Sequence, residues 1–429
     1  MPILVQKYGG SSVKDGDRLK AVARKIAEHK AKGFDLVVVV SAMGKTTDQL
    51  IQLAHSVSAK PSSREMDMLL STGEQTSIAL LSMALADLGI PARSFTGWQA
   101  GIQTEAYHQA ARIQTIDPRR IHAALSQGEV VIVAGFQGVS IDGEITTLGR
   151  GGSDTTAVAL AIALGAERCD IYTDVPGVFT TDPRLVPEAR LLPEVTYDEM
   201  LELAHLGAKV LHPRSVELAK RFQLPLRVLS SYEDRGGTMI VSTLKDTPGA
   251  AGMPGSLETG RVVTGVARDQ GIARFTLSNL PNRIHILSEV FNLLEAAHIN
   301  VDIIIQSLRP EETTEIAFTV QENDALRVLE VFNTSAHPDF QSVRIMYETS
   351  LDKVSIVGSG MVTHPGVAAE MFRLLTQAGI EIKMVSTSEI KVSVVVEAKD
   401  SERAVNILHE GFHLDRLEAL HRVENINDI

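Results

Sequence analysis

Leu36-Val37-Val38-Val39-Val40 and Val130-Val131-Ile132-Val133-Ala134 are two unbroken apolar runs dominated by β-branched residues. Runs this short and this apolar fit strands covered on both faces, the situation of parallel sheets flanked by helices. Around them, residues 1–240 alternate strand-like and helix-like stretches. Ile3–Tyr8 and Asp170–Thr173 read as strands. Asp17–Lys32 is amphipathic, Glu65–Leu88 carries a long helical pattern, and Thr155–Leu164 is a helix of small residues. The implied architecture is α/β, with helices on both faces of a mainly parallel sheet.

The alternation stops at Lys245–Gly260, where Thr247-Pro248-Gly249 and Met253-Pro254-Gly255-Ser256 punctuate a stretch without periodicity. Beyond it lies an internal repeat. Phe291, Leu293-Leu294, Ala297, Ile299 and Ser307 recur as Phe372, Leu374-Leu375, Ala378, Ile380 and Ser388, a constant offset of 81. Each unit reads β-α-β-β-α. The first has strands at Ala273–Leu277, Val301–Gln306 and Glu315–Val320, with a helix up to Ala297 and another from Asp324. The second has Val354–Val357, Val367–Ala378, Ile382–Ser386, Lys391–Glu397 and a helix from Ser401. Val343–Tyr347 closes the first unit with a strand, whereas Leu414–Ile429 offers none to the second. Either the second unit is left open, or Arg261–Ala267 supplies its missing strand and the first unit is inserted in it. The second option predicts a catalytic domain over 1–244, a linker over 245–260, one repeat over 269–347, and the other over 261–268 with 348–429.

Composition excludes several classes. Lys and Arg number 41 against 53 Asp and Glu, a formal charge of −12, which disfavours nucleic-acid or anionic-membrane partners. Cys169 is the only cysteine, so neither an intrachain disulfide nor a thiolate cluster can form. The N-terminus reaches Lys7 too early for a signal peptide, and no apolar run approaches the ~20 residues that span a bilayer. A cytoplasmic location is expected.

Chemistry concentrates in a few motifs. Lys7-Tyr8-Gly9-Gly10-Ser11-Ser12 puts a lysine at a strand end beside glycines whose backbone N–H groups can approach phosphate. Ser41-Ala42-Met43-Gly44-Lys45-Thr46 looks like the end of a P-loop, but the glycine required five positions before Gly44 is Val39, and that reading is rejected. Thr72-Gly73-Glu74 breaks the apolar pattern of the long helix, where its carboxylate either binds a ligand ammonium or is solvated. Gly149-Arg150-Gly151-Gly152-Ser153-Asp154-Thr155-Thr156 feeds three glycines into a helix N-terminus, an anion site to which Arg150 adds a bidentate fork. Asp154 alone would serve equally as a plain N-cap. Thr173–Arg184 follows a strand with a turn fixed by Pro176, Gly177 and Pro183, leaving Asp182 and Arg184 to face a nucleotide. Gly207–Pro213 contributes a further lysine, Lys209. The histidines lack any metal-ligand spacing, so magnesium is expected to arrive on ATP.

Taken in this order, the motifs resemble the aspartate kinase branch of the amino-acid kinase family, and the paired tail repeats resemble ACT domains. The resemblance covers nearly the whole chain. It implies a three-layer sandwich with a mainly parallel sheet, followed by two ferredoxin-like βαββαβ domains, the ACT pair. It implies transfer of the γ-phosphoryl of MgATP to the β-carboxylate of L-aspartate, without a fused homoserine dehydrogenase. Lys7 would stabilise the transferring group, with Gly9 and Gly10 giving backbone contacts and Asp154 orienting the centre. Arg150 would bind the α-carboxylate of aspartate and Glu74 its ammonium, in a pocket lined by Ser41, Thr47, Phe136 and Ser153. Thr173, Asp174, Phe179, Asp182, Arg184 and Lys209 would hold ATP. Phe179 stands where tyrosine is expected, so ring stacking survives and a hydroxyl contact is lost. A carboxylate nucleophile is already ionised at neutral pH, so no general base is required.

For the tail, the resemblance implies effector sites for lysine or threonine. The second repeat offers Met361, His364, Gly366, Ser386 and Thr387. The first has Asp302 and Gln306, but Asn282-Arg283-Ile284-His285 replaces the acidic residue and Pro-Gly usual there. Association at least to a dimer is expected, as a homo-oligomer or as α2β2 with a tail chain started near Met239 or Met253. Two rival readings stay open at this level: another acyl-phosphate-forming amino-acid kinase, and a silent amino-acid sensor on the same folds.

Overall fold

The computed structural model describes residues 1–205, 210–233, 236–244, 262–308, 313–335, 338–340 and 343–416. The chain forms two compact units, Met1–Phe179 with Leu191–Gly255, and Thr180–Arg190 with Ser256–Ile429. The Lys245–Gly260 segment lies outside the described residues.

The first unit opens with β1 (Ile3–Tyr8), α1 (Gly16–Ala31), β2 (Asp35–Val40), α2 (Thr46–Val57), α3 (Ser63–Ala86) and β3 (Ala92–Phe95). β4 (Ile102–Thr104), β5 (Ile113–Ile116), α4 (Arg119–Ser126), β6 (Val130–Ala134), β7 (Gln137–Ser140) and β8 (Ile145–Thr147) follow. It ends with α5 (Gly152–Ala163), β9 (Arg168–Thr173), β10 (Glu194–Thr196), α6 (Tyr197–His205), α7 (Pro213–Phe222), β11 (Leu226–Ser230) and β12 (Thr238–Val241). The main sheet runs β10-β12-β11-β9-β1-β2-β6-β3 and is parallel except for β11 with β12. A smaller sheet runs β5-β4-β7-β8.

The strand period of two sorts the side chains onto the two faces. Leu4 and Tyr8 of β1 join Leu36, Val38 and Val40 of β2 in one core with Leu19, Val22 and Ile26 of α1 and Ile78, Leu81 and Leu85 of α3. Val5, Lys7, Val37 and Val39 therefore face the opposite layer, that of α5. The chain leaves β1 towards β2 on one side, while β9 flanks it on the other. Lys7 thus stands near the carboxyl ends of the strands at a topological switch point, where α/β sheets bind ligands.

The second unit contains β13 (Gly265–Pro281), α8 (Ile286–Ala296), β14 (Ile304–Leu308), β15 (Thr313–Gln321), α9 (Ala325–Thr334), β16 (Arg344–Val357), α10 (Val367–Gln377), β17 (Met384–Ser388), β18 (Lys391–Glu397) and α11 (Ala398–Gly411). One antiparallel sheet, β14-β15-β13-β16-β18-β17, spans it. Gly265–Asp269 pairs with Lys353–Val357, and further along the same two strands Ile272–Ser278 pairs with Arg344–Leu351. Val343–Tyr347 and Val354–Val357, expected as separate strands, are one strand because both partners bend together at Gly271 (φ 70°) and Ser350 (φ 57°). β14 and β17 begin at Ile304 and Met384, later than expected, since apolar Val301 and Ile382 pack into the two cores without joining the ladder. Leu185, Val186 and Ala189 pack into the core of the second repeat, with Met371, Leu375 and Leu408. No described helix is long and apolar enough to cross a membrane.

Candidate active site

Lys7 is the penultimate residue of β1, on the face towards α5, and its Nζ lies 2.6 Å from Asp154 Oδ1, both side chains 12% exposed. Asp154 Oδ1 has no well-directed hydrogen bond, so this short approach is a charge contact. Asp154 does not cap its helix, as its sequence position also allowed. The N-cap of α5 is Gly151 at φ 69°, and it makes no side-chain cap hydrogen bond. Asp154 is instead in the first helical turn, turned to the lysine, while the Gly152 N–H closes a turn onto Gly149 O at 3.0 Å and the positive dipole end of α5 lies at this turn.

The glycines around α5 admit close approaches. A Cβ on Gly151 would meet the His212 ring at 2.1 Å, and one on Gly152 would meet Phe136 at 2.8 Å. Phe136 itself sits at φ 70°, its N–H donating to Thr156 Oγ1 at 3.1 Å. Ser153 packs against Gly135, where a Cβ would be 2.8 Å away. Arg150, just outside the helix, is exposed.

On the other side, Gly44 N donates to Gly10 O at 3.0 Å and Ser41 N to Tyr8 O at 3.1 Å, joining the first two strand-end loops. Helix α3 continues through Thr72-Gly73-Glu74 without a break. Gly73 is there because a Cβ would come 2.9 Å from that of Ala42. This contact lets Glu74 reach the loop, and its Oε1 accepts from Ala42 N at 3.1 Å. Glu74 is only 3% exposed, not solvated, and its Oε2 has no hydrogen-bond partner. Burial pushes its carboxyl up to about 7, against the smaller opposing pull of the backbone N–H groups of Glu74 and Ala42. A buried carboxylate with one oxygen unused is suited to an incoming ammonium.

Thr173 and Asp174 follow β9, with the Thr173 hydroxyl donating to Asp174 Oδ1 at 3.2 Å. Phe179 is half-buried and bridges to Leu191. Asp182 and Arg184 form a bidentate pair with each other, which holds the Asp182 carboxyl below its usual range. They belong to the second unit through Thr180–Arg190. Lys209 lies outside the described residues. Thr47 is half-buried at the start of α2.

In the second unit, Asn282 precedes α8, Gln306 is on β14, and Asp302 pairs with the buried Lys353. Met361 and His364 precede α10, whose N-cap is Gly366 at φ 102°, and Ser386 and Thr387 are on β17. Sequence reasoning missed Asp67, fully buried on α3, and Arg214 on α7. A charge on the apolar stripe of Met66, Leu70 and Ile78 was the available signal for Asp67.

Residues 2–230 match the amino acid kinase family and residues 354–412 an ACT domain, so fold and site define a phosphotransferase joined to a regulatory domain. The aspartokinase of Geobacillus stearothermophilus is 53% identical over 414 residues, 96% of this chain and 98% of that one. The crystal structure of E. coli aspartokinase III in complex with aspartate and ADP has a TM-score of 0.78 at 27% identity, covering 96% of this chain and 100% of that one. The same enzyme in complex with lysine and aspartate gives a TM-score of 0.74 at 27% identity, covering 95% and 99%. The chain belongs to the aspartokinase family and is an aspartate kinase.

Proposed function

We propose that the chain transfers the γ-phosphoryl of MgATP to the β-carboxylate of L-aspartate, giving 4-phospho-L-aspartate and ADP. This would be the first step towards lysine, threonine and methionine. The observation that carries the reading is the unused Glu74 Oε2, buried beside the strand-end loops, where a substrate ammonium would complete its hydrogen bonding. Arg150 takes the α-carboxylate, and Ser41, Thr47, Phe136 and Ser153 line the pocket. Together Arg150 and Glu74 demand a free amino acid.

The nucleophile is already anionic, so catalysis reduces to in-line placement and to countering phosphate charge. Lys7, held by Asp154, meets the charge developing on the transferring group, and Gly10 and the N-terminus of α5 supply N–H groups, whereas the Gly9 N–H, expected to contribute, is taken by Tyr172 O at 3.3 Å. Mg²⁺ enters as part of the nucleotide substrate and screens its phosphate oxygens. Thr173, Asp174 and Phe179 are the nucleotide contacts of this reading within the described part of the first unit.

The ACT repeats, the first inserted in the second, bind lysine or threonine and inhibit. An effector must prefer the inactive arrangement, and a coupling of roughly 1–3 kcal/mol suffices. The lysine complex of the E. coli relative supports lysine first. ATP-dependent hydroxamate formation from aspartate, glutamate and acetylglutamate, titrated with lysine, threonine and methionine, tests both parts. Activity on acetylglutamate with none on aspartate would end the reading.

A further inference from the structure

Helix α3 carries a second buried carboxylate, which the phosphoryl transfer does not use. Asp67 is 0% exposed and stands seven residues, about two turns, before Glu74 on the same stripe. Its Oδ1 accepts from Thr147 Oγ1 at 2.6 Å and its Oδ2 from Thr147 N at 3.0 Å. Gln109 N donates to both oxygens, at 3.2 and 3.1 Å, and His108 Nδ1 lies 2.8 Å from Oδ2.

Thr147 and Gln109 flank the turn that carries Arg150. Thr147 ends β8, and the turn Leu148-Gly149-Arg150-Gly151 follows it directly into α5. Gln109 (φ 68°) lies against Gly149 (φ 74°), whose Cβ, if it had one, would be 2.8 Å from Gln109 O. Arg214 grips the same two segments through their carbonyls, donating to Leu148 O at 2.7 Å and Ala111 O at 3.2 Å. The carboxylate collects the N–H donors of the turn's surroundings and the guanidinium collects the carbonyls.

A carboxylate group, with two acceptor oxygens, serves Thr147 Oγ1, Thr147 N and Gln109 N at once. Burying one is costly, so simple packing would favour an apolar residue here. We infer that Asp67 is a positioning residue for the acceptor amino acid: by fixing Thr147 and Gln109 it sets the turn that presents Arg150 to the substrate α-carboxylate. The inference rests on that role of Arg150. Misplacing such a fork by about 1 Å can cost up to ~10²-fold.

The test is steady-state kinetics of the intact enzyme carrying Asp67→Asn, Arg150→Ala, or both. Asp67→Asn keeps the shape but turns a donor towards donors. It should raise the KM for aspartate about tenfold or more, with a much smaller effect on kcat and on the KM for ATP. In the Arg150→Ala background the same change should add no further rise in aspartate KM, since the group it positions is gone. A structural role alone would raise the two backgrounds equally, or disturb ATP as much as aspartate, and either result overturns the inference. If Asp67→Asn does not fold, Thr147→Val, which deletes only the hydroxyl donor, carries the same cycle. An Arg150→Ala enzyme with unchanged aspartate KM would sink the underlying reading as well. Sensitivity to Arg150→Ala without sensitivity to Asp67→Asn or Thr147→Val sinks the inference alone.

Discussion

Lys7 Nζ and Asp154 Oδ1 meet at 2.6 Å, one from the end of the first strand and the other from the first turn of α5. The aspartate, in the first turn of α5, holds the ammonium beside the positive end of that helix. Phosphate charge placed there meets both.

Lys7→Ala should lower kcat on the order of 10²–10³-fold, the usual cost of deleting one preorganised charge at a developing transition state. The chain should still fold, because the pair is at a strand end, but the melting temperature should drop, since Asp154 is left buried without its cation. Asp154→Asn should lower kcat too, by freeing the lysine to wander. Near wild-type turnover in Lys7→Ala would remove it from the chemistry.

Glu74 should make both stability and aspartate binding depend on pH. Burial raises its carboxyl from 4.5 to about 7. Between those values the folded chain keeps a proton that the unfolded chain has released, so stability falls as pH rises and stays lowered above 7. Glu74→Gln should therefore raise the stability of the ligand-free enzyme at pH 8 by roughly 3 kcal/mol, with the gain vanishing near pH 4 to 5. The same variant should lose aspartate binding. In the unaltered enzyme the KM for aspartate should climb as pH falls below about 7, because the substrate ammonium needs the ionised form. Thermal melts across this range and KM measured from pH 6 to 8.5 check the two halves separately.

Gly73→Ala should push α3 away from the loop after β2, since the new methyl would lie 2.9 Å from Ala42 Cβ. Overpacking of this kind costs about 1–3 kcal/mol. The displaced Ala42 N–H would leave Glu74 Oε1, so aspartate KM should rise more than ATP KM. Denaturant unfolding and the two KM values measure it.

His409 is 1% exposed, with Nε2 2.9 Å from Thr180 Oγ1. Burial pushes its imidazole below the usual 6.5, with Asp415 and Glu188 opposing weakly. As pH falls through 6.5 the unfolded chain gains a proton that the folded unit refuses, so stability is lost on the acid side. His409→Gln should flatten melting temperature against pH between 7.5 and 5.5. An unchanged slope would show that this imidazole is not the group responsible.

Effector resistance should map to the start of α10 and to the edge strands. Variants at Gln306, Met361, Ser386 or Thr387 should keep catalysis while shifting the inhibitory concentration of lysine or threonine. Activity and sedimentation of the intact chain with each amino acid, alone and combined, check it. An enzyme indifferent to all of them would leave the tail as an assembly module only.

Much of the fold was legible because its signals are local. Ile3–Tyr8 and Val130–Ala134 are strands with the expected bounds, and Gly9-Gly10 and Gly149–Gly152 mark the turns between elements. The 81-residue offset announced two similar units, because repeated patterns survive wherever the chain folds back on itself in the same way. The limits of β14 and β17 were missed, since apolar residues just before a strand look the same whether they join the ladder or merely pack beneath it.

Sequence by itself determined the element types, the glycine-rich turns and the residue kinds available for phosphate and amino-acid binding, all set by periodicity and backbone freedom within a few residues. Tertiary structure alone decided that Asp154 faces Lys7 instead of capping α5, and that Glu74 is buried with one oxygen unused. It alone decided that Asp67 gathers Thr147, His108 and Gln109, and that Thr180–Arg190 belongs to the second unit. Those outcomes depend on which distant segments become neighbours and on how much water is excluded between them, and neither quantity is written in any local stretch of the chain.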